Sequence, residues 1–138
     1  MLARLYRSPV PVVVACTGHA VALGAVLLMA TDFRVGADAE VAIGLNEVAI
    51  GMPLPELAVA LAHERLTAPL RTRAVVLAEM WSPRRAVDVG FLDEVVPPDM
   101  VVATAIDRAK DLGTRLQPDA YATTSRRLRA LETVTLQP

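Results

Sequence analysis

Thr17-Gly18-His19-Ala20-Val21-Ala22-Leu23-Gly24-Ala25-Val26-Leu27-Leu28-Met29-Ala30 decides how this chain is read. A β-branched apolar run, residues 12–16, ends just before it. Thr17 and Gly18 supply a small-residue turn. Residues 22–30 then turn to Ala and Leu, which favour helix over strand. No side of that segment is polar, so the helix is expected to be buried. Two short extended pieces, residues 33–37 and 41–43, come next. Asn46-Glu47 interrupts them, residues 48–50 resume an extended course, and Gly51-Met52-Pro53 turns. Strand, turn and buried helix facing a later carboxylate can form a catalytic turn. The same residues can also make an ordinary buried helix with a surface acid after it.

Working outward, residues 10–30 are almost continuously apolar, so a membrane span has to be weighed. Pro11 and the central Thr17-Gly18-His19 oppose it, because a turn and a histidine are costly at mid-bilayer. No cleavage site marks the region as a signal peptide. Residues 12–16 show no polar alternation, which predicts a strand buried on both faces, as in a parallel sheet. Residues 2–6 read as the tail of a helix, and Ser8-Pro9-Val10-Pro11 as a breaker. Downstream the pattern is mainly helical. Helices are expected over 55–66, 69–80 and a short one from Ser82-Pro83 to Gly90, with Ser82 as N-cap. Residues 91–96 read as a strand or extended link. A long amphipathic helix opens at Pro98-Asp99 and runs to about Leu116, and a last one spans 120–131. Residues 133–138 read as a frayed end.

The chain has 138 residues and a formal charge of -1, which argues for one domain and against a nucleic-acid partner. Hydrophobic residues make up 54% and aromatics only 4%, so the core must be Val, Leu, Ala and Met. So apolar a chain is expected to hide surface against another subunit or segment. A single cysteine, Cys16, fits a cytoplasmic location, and with two histidines no metal site is expected.

The order of elements resembles the crotonase (enoyl-CoA hydratase/isomerase) family. Residues 9–20, P-V-P-V-V-V-A-C-T-G-H-A, are similar to that family's K-P-V-I-A-A-V-N-G-x-A. Ala22-Leu23-Gly24-Ala25-Val26-Leu27 takes the place of its G-G-G-x-E-L. Asp32-Phe33-Arg34 resembles its C-D-x-R, and residues 43–51 its F-x-x-P-E-x-x-x-G. Residues 82–97 resemble its later A-x-x-A-x-x-x-G-L-V-x-x-V-x-P. The matches run from about Arg4 to Leu131. They imply an α/β fold: a partial crotonase-like ββα spiral followed by a helical C-terminal trimerisation region. Residues 1–66 would be the C-terminal part of the spiral core and 67–138 the helical region. The family's upstream ββα turns, which carry a first oxyanion donor and much of the coenzyme A surface, have no match here. The chain is therefore expected to be the C-terminal portion of a crotonase.

The resemblance also implies a chemistry. The substrate would be an acyl-CoA thioester, with coenzyme A part of the substrate and no separate cofactor. Backbone N–H groups would hold an enolate oxygen. One of them falls on Leu23, with Gly24 beside it, and a helix start is a sound place for a donor. The family's first glutamate position falls on Val26, which cannot move protons. The second falls on Glu47. Burial against Ile43, Val48 and Ile50 would suit a carboxylate to acid–base work, since leaving water makes it hold a proton more readily. One base favours 3-enoyl to 2-enoyl isomerisation over hydration. The alternative is a non-catalytic acyl-CoA-binding or assembly module. His19, Val26 and Met52 are candidate substrate contacts. For His19 a hydrogen-bonded turn histidine is the plainer reading. Glu56 reads as a first-turn helix acid, Asp32 as a helix-end residue, Cys16 and Trp81 as core. Arg126, Arg127 and Arg129 read as a solvated helix face with an optional role near coenzyme A phosphates. A homotrimer or hexamer is expected, without a membrane partner.

Overall fold

A computed structural model of the chain describes residues 1–129. Its centre is a parallel three-stranded sheet in the order β1 (Val13–Cys16), β3 (Phe33–Ala37), β5 (Glu94–Val96). β3 is the middle strand and its residues are mostly buried. Val13 pairs with Phe33 and Cys16 with Gly36, while Val35 pairs with Glu94 and Ala37 with Val96. Beside the sheet lies a parallel pair, β2 (Ala20–Val21) and β4 (Ile43–Gly44), with Ala20 opposite Ile43. Between β2 and β3 runs α2 (Leu23–Met29), an apolar helix that buries Ala25, Val26, Leu28 and Met29. The membrane reading ends here, because residues 10–30 split into two strands and a short helix. No helix among the described residues is long and apolar enough to cross a membrane.

The helices after β4 pack around this frame. α3 (Glu56–Arg65) buries Ala58, Leu61 and Ala62 in the main core with α2, Phe91 and Leu92. Burying a side chain such as Leu61 contributes about 1.5–3 kcal/mol. α4 (Ala68–Val75) and α5 (Pro83–Val89) come next. α6 (Val101–Arg115) lies on β1 and β3, and its Val101 and Ala105, one turn apart, form a second small core with Val35 and Ala37. α1 (Leu2–Tyr6) and α7 (Pro118–Arg129) close the described chain.

Several expectations change. Residues 48–50 form a 3-10 turn, not a strand, because Ile50 and Gly51 bond back to Glu47 and Val48. The helix expected over 69–80 stops at Val75, and Ala78 adopts φ 51, which no helix tolerates. Within this chain β1 is not buried on both faces: Val13 and Val14 are half-buried and Ala15 is exposed. Ser82 stands at the N-cap of α5, yet its side chain caps nothing. β5 arises within the 67–138 segment but pairs with β3, so both segments share one sheet. Residues 130–138, including the expected end of the last helix and the frayed end, lie outside the described residues.

Polar ties set the outer elements. Arg34 sits in the middle strand and is buried, with its guanidinium held by Asp93 in two bonds of 2.8 and 3.0 Å. Asp93 also accepts the Arg34 backbone N–H at 2.8 Å, which fixes where β5 begins. Asp32 accepts from the Val12 N–H at 2.8 Å, the Tyr121 hydroxyl at 3.0 Å and the Arg129 guanidinium at 2.7 Å. Arg129 also donates to the Tyr6 carbonyl and stacks over the Tyr6 ring. One carboxylate thus joins β1, α7 and, through Arg129, α1. Arg129 is buried, unlike Arg126 and Arg127, so the expected solvated basic face holds for those two alone.

Two stability outcomes are expected. Gly90 ends α5 at φ 110, and a Cβ there would stand 2.4 Å from the Arg65 carbonyl oxygen. Gly90→Ala should therefore cost about 2 kcal/mol or more in denaturant titration, from backbone strain plus a backbone clash. Burial, and then the adjacent Asp32 carboxylate, pushes the Tyr121 phenol above its ordinary range. The neutral phenol's contribution is fully present below the unfolded value of about 10 and is lost as pH rises through the folded one. Melting temperature should fall more steeply above about pH 10 in the wild type than in Tyr121→Phe. Equal slopes would remove Tyr121 from the pH response.

Candidate active site

Because β2 and β4 are parallel, both leave the pair at the same end. β2 feeds α2 through Ala22, whose N–H donates to the Gly44 carbonyl at 3.0 Å. Ala22 has φ 54 and ψ -118, a region that a residue with a Cβ rarely adopts. Such strain persists only where its surroundings enforce it, and it concentrates at functional sites. Val26 N–H donates to the Ala22 carbonyl at 3.0 Å and closes the first helical turn. The N–H groups of Leu23 and Gly24 precede that bond. They belong to the first turn of the helix, where N–H groups have no partner within the helix itself, at its positive end.

β4 feeds the segment Leu45-Asn46-Glu47. Glu47 begins the 3-10 turn, and its carbonyl accepts from the N–H groups of Ile50 at 3.1 Å and Met52 at 2.9 Å. Gly51 reverses the chain at φ 80. Glu47 is only 8% exposed, and among the described residues its buried Oε2 has no hydrogen-bond partner. A buried carboxylate oxygen left unpartnered is costly and uncommon, so it calls for an explanation in function. The neighbouring Asn46 Oδ1 is buried and unpartnered as well. Val48 and Ile50, expected to cover Glu47, are instead exposed, while Ile43 and Leu45 are buried.

The remaining candidates separate. His19 is exposed, and its Nδ1 accepts the Ala42 N–H at 3.0 Å, which ties the β1–β2 turn to the approach to β4. In the neutral ring that leaves the proton on Nε2. Val26 is buried in the main core, whereas Met52 is exposed just past Gly51. Cys16 is buried, its thiol donates to the Gly18 carbonyl, and burial pushes the thiol pKa up, the mark of an unreactive thiol. Glu56 is an exposed acid at the first turn of α3. Trp81 is buried and bonds Ile43 in both directions at 2.9 Å, which secures the outer side of β4. Arg129 is occupied by Asp32 and Tyr6, so it is a structural tie. Among the described residues no group of three or more His, Cys, Asp or Glu could hold a metal.

Two features are not evident from sequence alone. The strained Ala22 stands at the first place of the run aligned with the family's triple glycine, and that substitution is the available signal. The buried Oδ1 of half-buried Asn46 has none, since Asn beside Glu reads equally well as a surface turn.

The family model for enoyl-CoA hydratase/isomerase matches residues 1–137. The mitochondrial enoyl-CoA delta isomerase 1 of Mus musculus is 37% identical over 103 residues, covering 74% of this chain and 36% of that protein. A crystal structure of an enoyl-CoA hydratase/isomerase family protein from Pseudomonas syringae superposes with a TM-score of 0.94 at 38% identity, covering 98% of this chain and 58% of that one. The apo structure of an Mtb enoyl-CoA isomerase gives 0.88 at 42% identity, covering 94% and 56%. The chain thus spans about a third of the curated relative's length and somewhat over half of the two structural ones. With its parallel strands, buried α2 and helical C-terminal part, the chain belongs to the enoyl-CoA hydratase/isomerase, or crotonase, family.

Proposed function

We propose that this chain carries the acid–base half of an enoyl-CoA isomerase site, with Glu47 as its proton-transfer residue. The observation that carries the reading is the buried Glu47 carboxylate, whose Oε2 has no hydrogen-bond partner among the described residues, at the end of the strand pair from which α2 also leaves. The substrate is a 3-enoyl-CoA thioester. Its carbonyl oxygen accepts from the Leu23 N–H, with Gly24 beside it. The Glu47 carboxylate takes a proton from C2. The electron pair of that C–H bond moves onto the thioester oxygen as an enolate, conjugated with the C3–C4 double bond. Glu47 then returns the proton at C4, the double bond settles between C2 and C3, and the carboxylate is restored. No metal or separate cofactor enters this scheme, because coenzyme A arrives with the substrate.

One base suffices for this shuttle. Hydration needs a second group to activate water, and the matching family position is Val26, which is buried in the core. The mouse relative and the Mtb structure, both named as isomerases, support the same choice. An oxyanion donor of this kind contributes roughly 10²–10³-fold and a positioned base roughly 10²–10⁴-fold. His19 and Met52 are proposed to border the substrate. The single thiol, Cys16, fits a reducing cytoplasm. Exposed Met100, just before α6, and exposed Val102 and Ile106 on it support a trimer, or a hexamer of two trimers.

The test adds the purified chain to a trans-3-enoyl-CoA and follows formation of the conjugated 2-enoyl thioester. The wild type should produce it, and Glu47→Gln should reduce kcat by about 10²-fold or more with melting temperature little changed. Turnover that survives the substitution, or no turnover in the wild type, overturns the reading.

A further inference from the structure

Leu23 opens α2, and three residues beyond the other end of that helix Asp32 holds Arg129 and with it α7. Ala122, Ser125, Arg126 and Arg129 lie three and four residues apart, so they share one face of α7. That face and the segment Arg7-Ser8-Pro9 line a cleft of about 320 Å³. Three arginines border it, and no Asp or Glu does. Basic residues near a helix end are ordinary, since they meet its negative pole. Arg7, however, comes from the other end of the chain, just after α1.

The positive charge of the cleft is not balanced within it. Arg129 is 7% exposed, and its two Nη atoms go to the Tyr6 carbonyl and to Asp32. Among the described residues its buried Nε has no hydrogen-bond partner. Arg126 is exposed and reaches the Thr123 hydroxyl at 3.4 Å. Arg7 is exposed too, and among the described residues neither it nor Arg126 forms an ion pair. What the cleft lacks is an acceptor that carries negative charge. A guanidinium fork matches the oxygens of a phosphate, and two cations without a counter-charge match a dianion better than a carboxylate. The volume leaves room beside the phosphate for a small organic body. We propose that this cleft is a phosphate site, separate from the candidate active site, in which Arg7, Arg126 and Arg129 hold the dianionic group of inorganic phosphate or of a small phosphate monoester. The Ser8 and Ser125 hydroxyls complete its lining.

The test follows backbone amide signals by NMR while the nitrogen-labelled chain is titrated with inorganic phosphate and, separately, with glycerol 3-phosphate. Ionic strength is held constant, at about pH 8, where both ligands are mostly dianions. Turnover plays no part in the readout, so failure of the isomerase reading leaves it untouched. The amides of Ser8, Ser125 and Arg126 should shift saturably, while those of Leu23, Gly24 and Glu47 stay in place. Arg7→Gln and Arg126→Gln should each weaken binding about tenfold or more, the loss of one charge-assisted hydrogen bond. Both residues are exposed, and a melting curve checks that each variant folds. Arg84→Gln removes an exposed arginine outside the cleft and should change nothing. Tighter binding of the ester names a phosphate monoester as the ligand, and tighter binding of the inorganic ion names free phosphate. No saturable shift, shifts centred on Leu23 and Gly24, undiminished binding in both cleft variants, or equal weakening by Arg84→Gln overturns the proposal.

Discussion

Parallel strands cannot be joined by a tight turn, so a chain that pairs Ala20–Val21 with Ile43–Gly44 must travel away and return. Here the excursion is α2 and β3, the buried helix and the central strand. That constraint organises the molecule around the candidate site. Because the two strands run the same way, the segments after them emerge at one end. A helix start succeeds one strand, and a buried carboxylate succeeds the other. The pair is only two residues long, and the Trp81 bridge to Ile43 supports its outer side. The Ala22 N–H bond to Gly44 extends it by one more residue and draws Ala22 into its strained conformation.

The second layer of organisation is electrostatic. In an apolar chain, a buried cation has to be neutralised where it lies. Arg34 meets Asp93 across β3 and β5, and Arg129 meets Asp32 between the first and last helices. Both pairs join residues far apart in sequence, and both acids also accept backbone N–H groups. Each carboxylate therefore fixes the path of the chain as well as balancing a charge. Glu47 is the contrast. It is buried, but among the described residues its Oε2 has no hydrogen-bond donor against it. The fold satisfies its structural carboxylates and leaves this one with an unmet bond, the arrangement expected of a group that works on something absent from the chain itself.

Much of this was legible in the sequence. The shift from β-branched residues to Ala and Leu after Cys16 located the strand and the buried helix, because propensity and all-round hydrophobicity are local properties. Gly90 marked the end of α5 for the same reason: a residue without a Cβ suits its φ of 110. The unalternating apolar run of residues 12–16 predicted the parallel sheet, and the resemblance to the crotonase family, carried by the order of its motifs, implied Glu47 as the candidate base. The short turn after Glu47 misread as a strand, because Val48-Ala49-Ile50 has the composition of one and only the returning N–H bonds reveal the turn.

The features that the tertiary structure alone decided have a common physical cause: they depend on partners remote in sequence. Arg129 reads as one of three solvated arginines until Asp32 and Tyr6 are brought to it. β1 reads as doubly buried, but within this chain its Ala15 is exposed. His19 reads as a hydrogen-bonded turn histidine, but its partner, the Ala42 N–H, is known only from the fold. The sequence by itself determined the elements, the fold class and which acid to watch, since these depend on local patterning and its order. Only the folded chain determined which charges are paired, which turn follows Glu47 and that its Oε2 lacks a partner among the described residues, since burial and hydrogen bonding are set by long-range contacts.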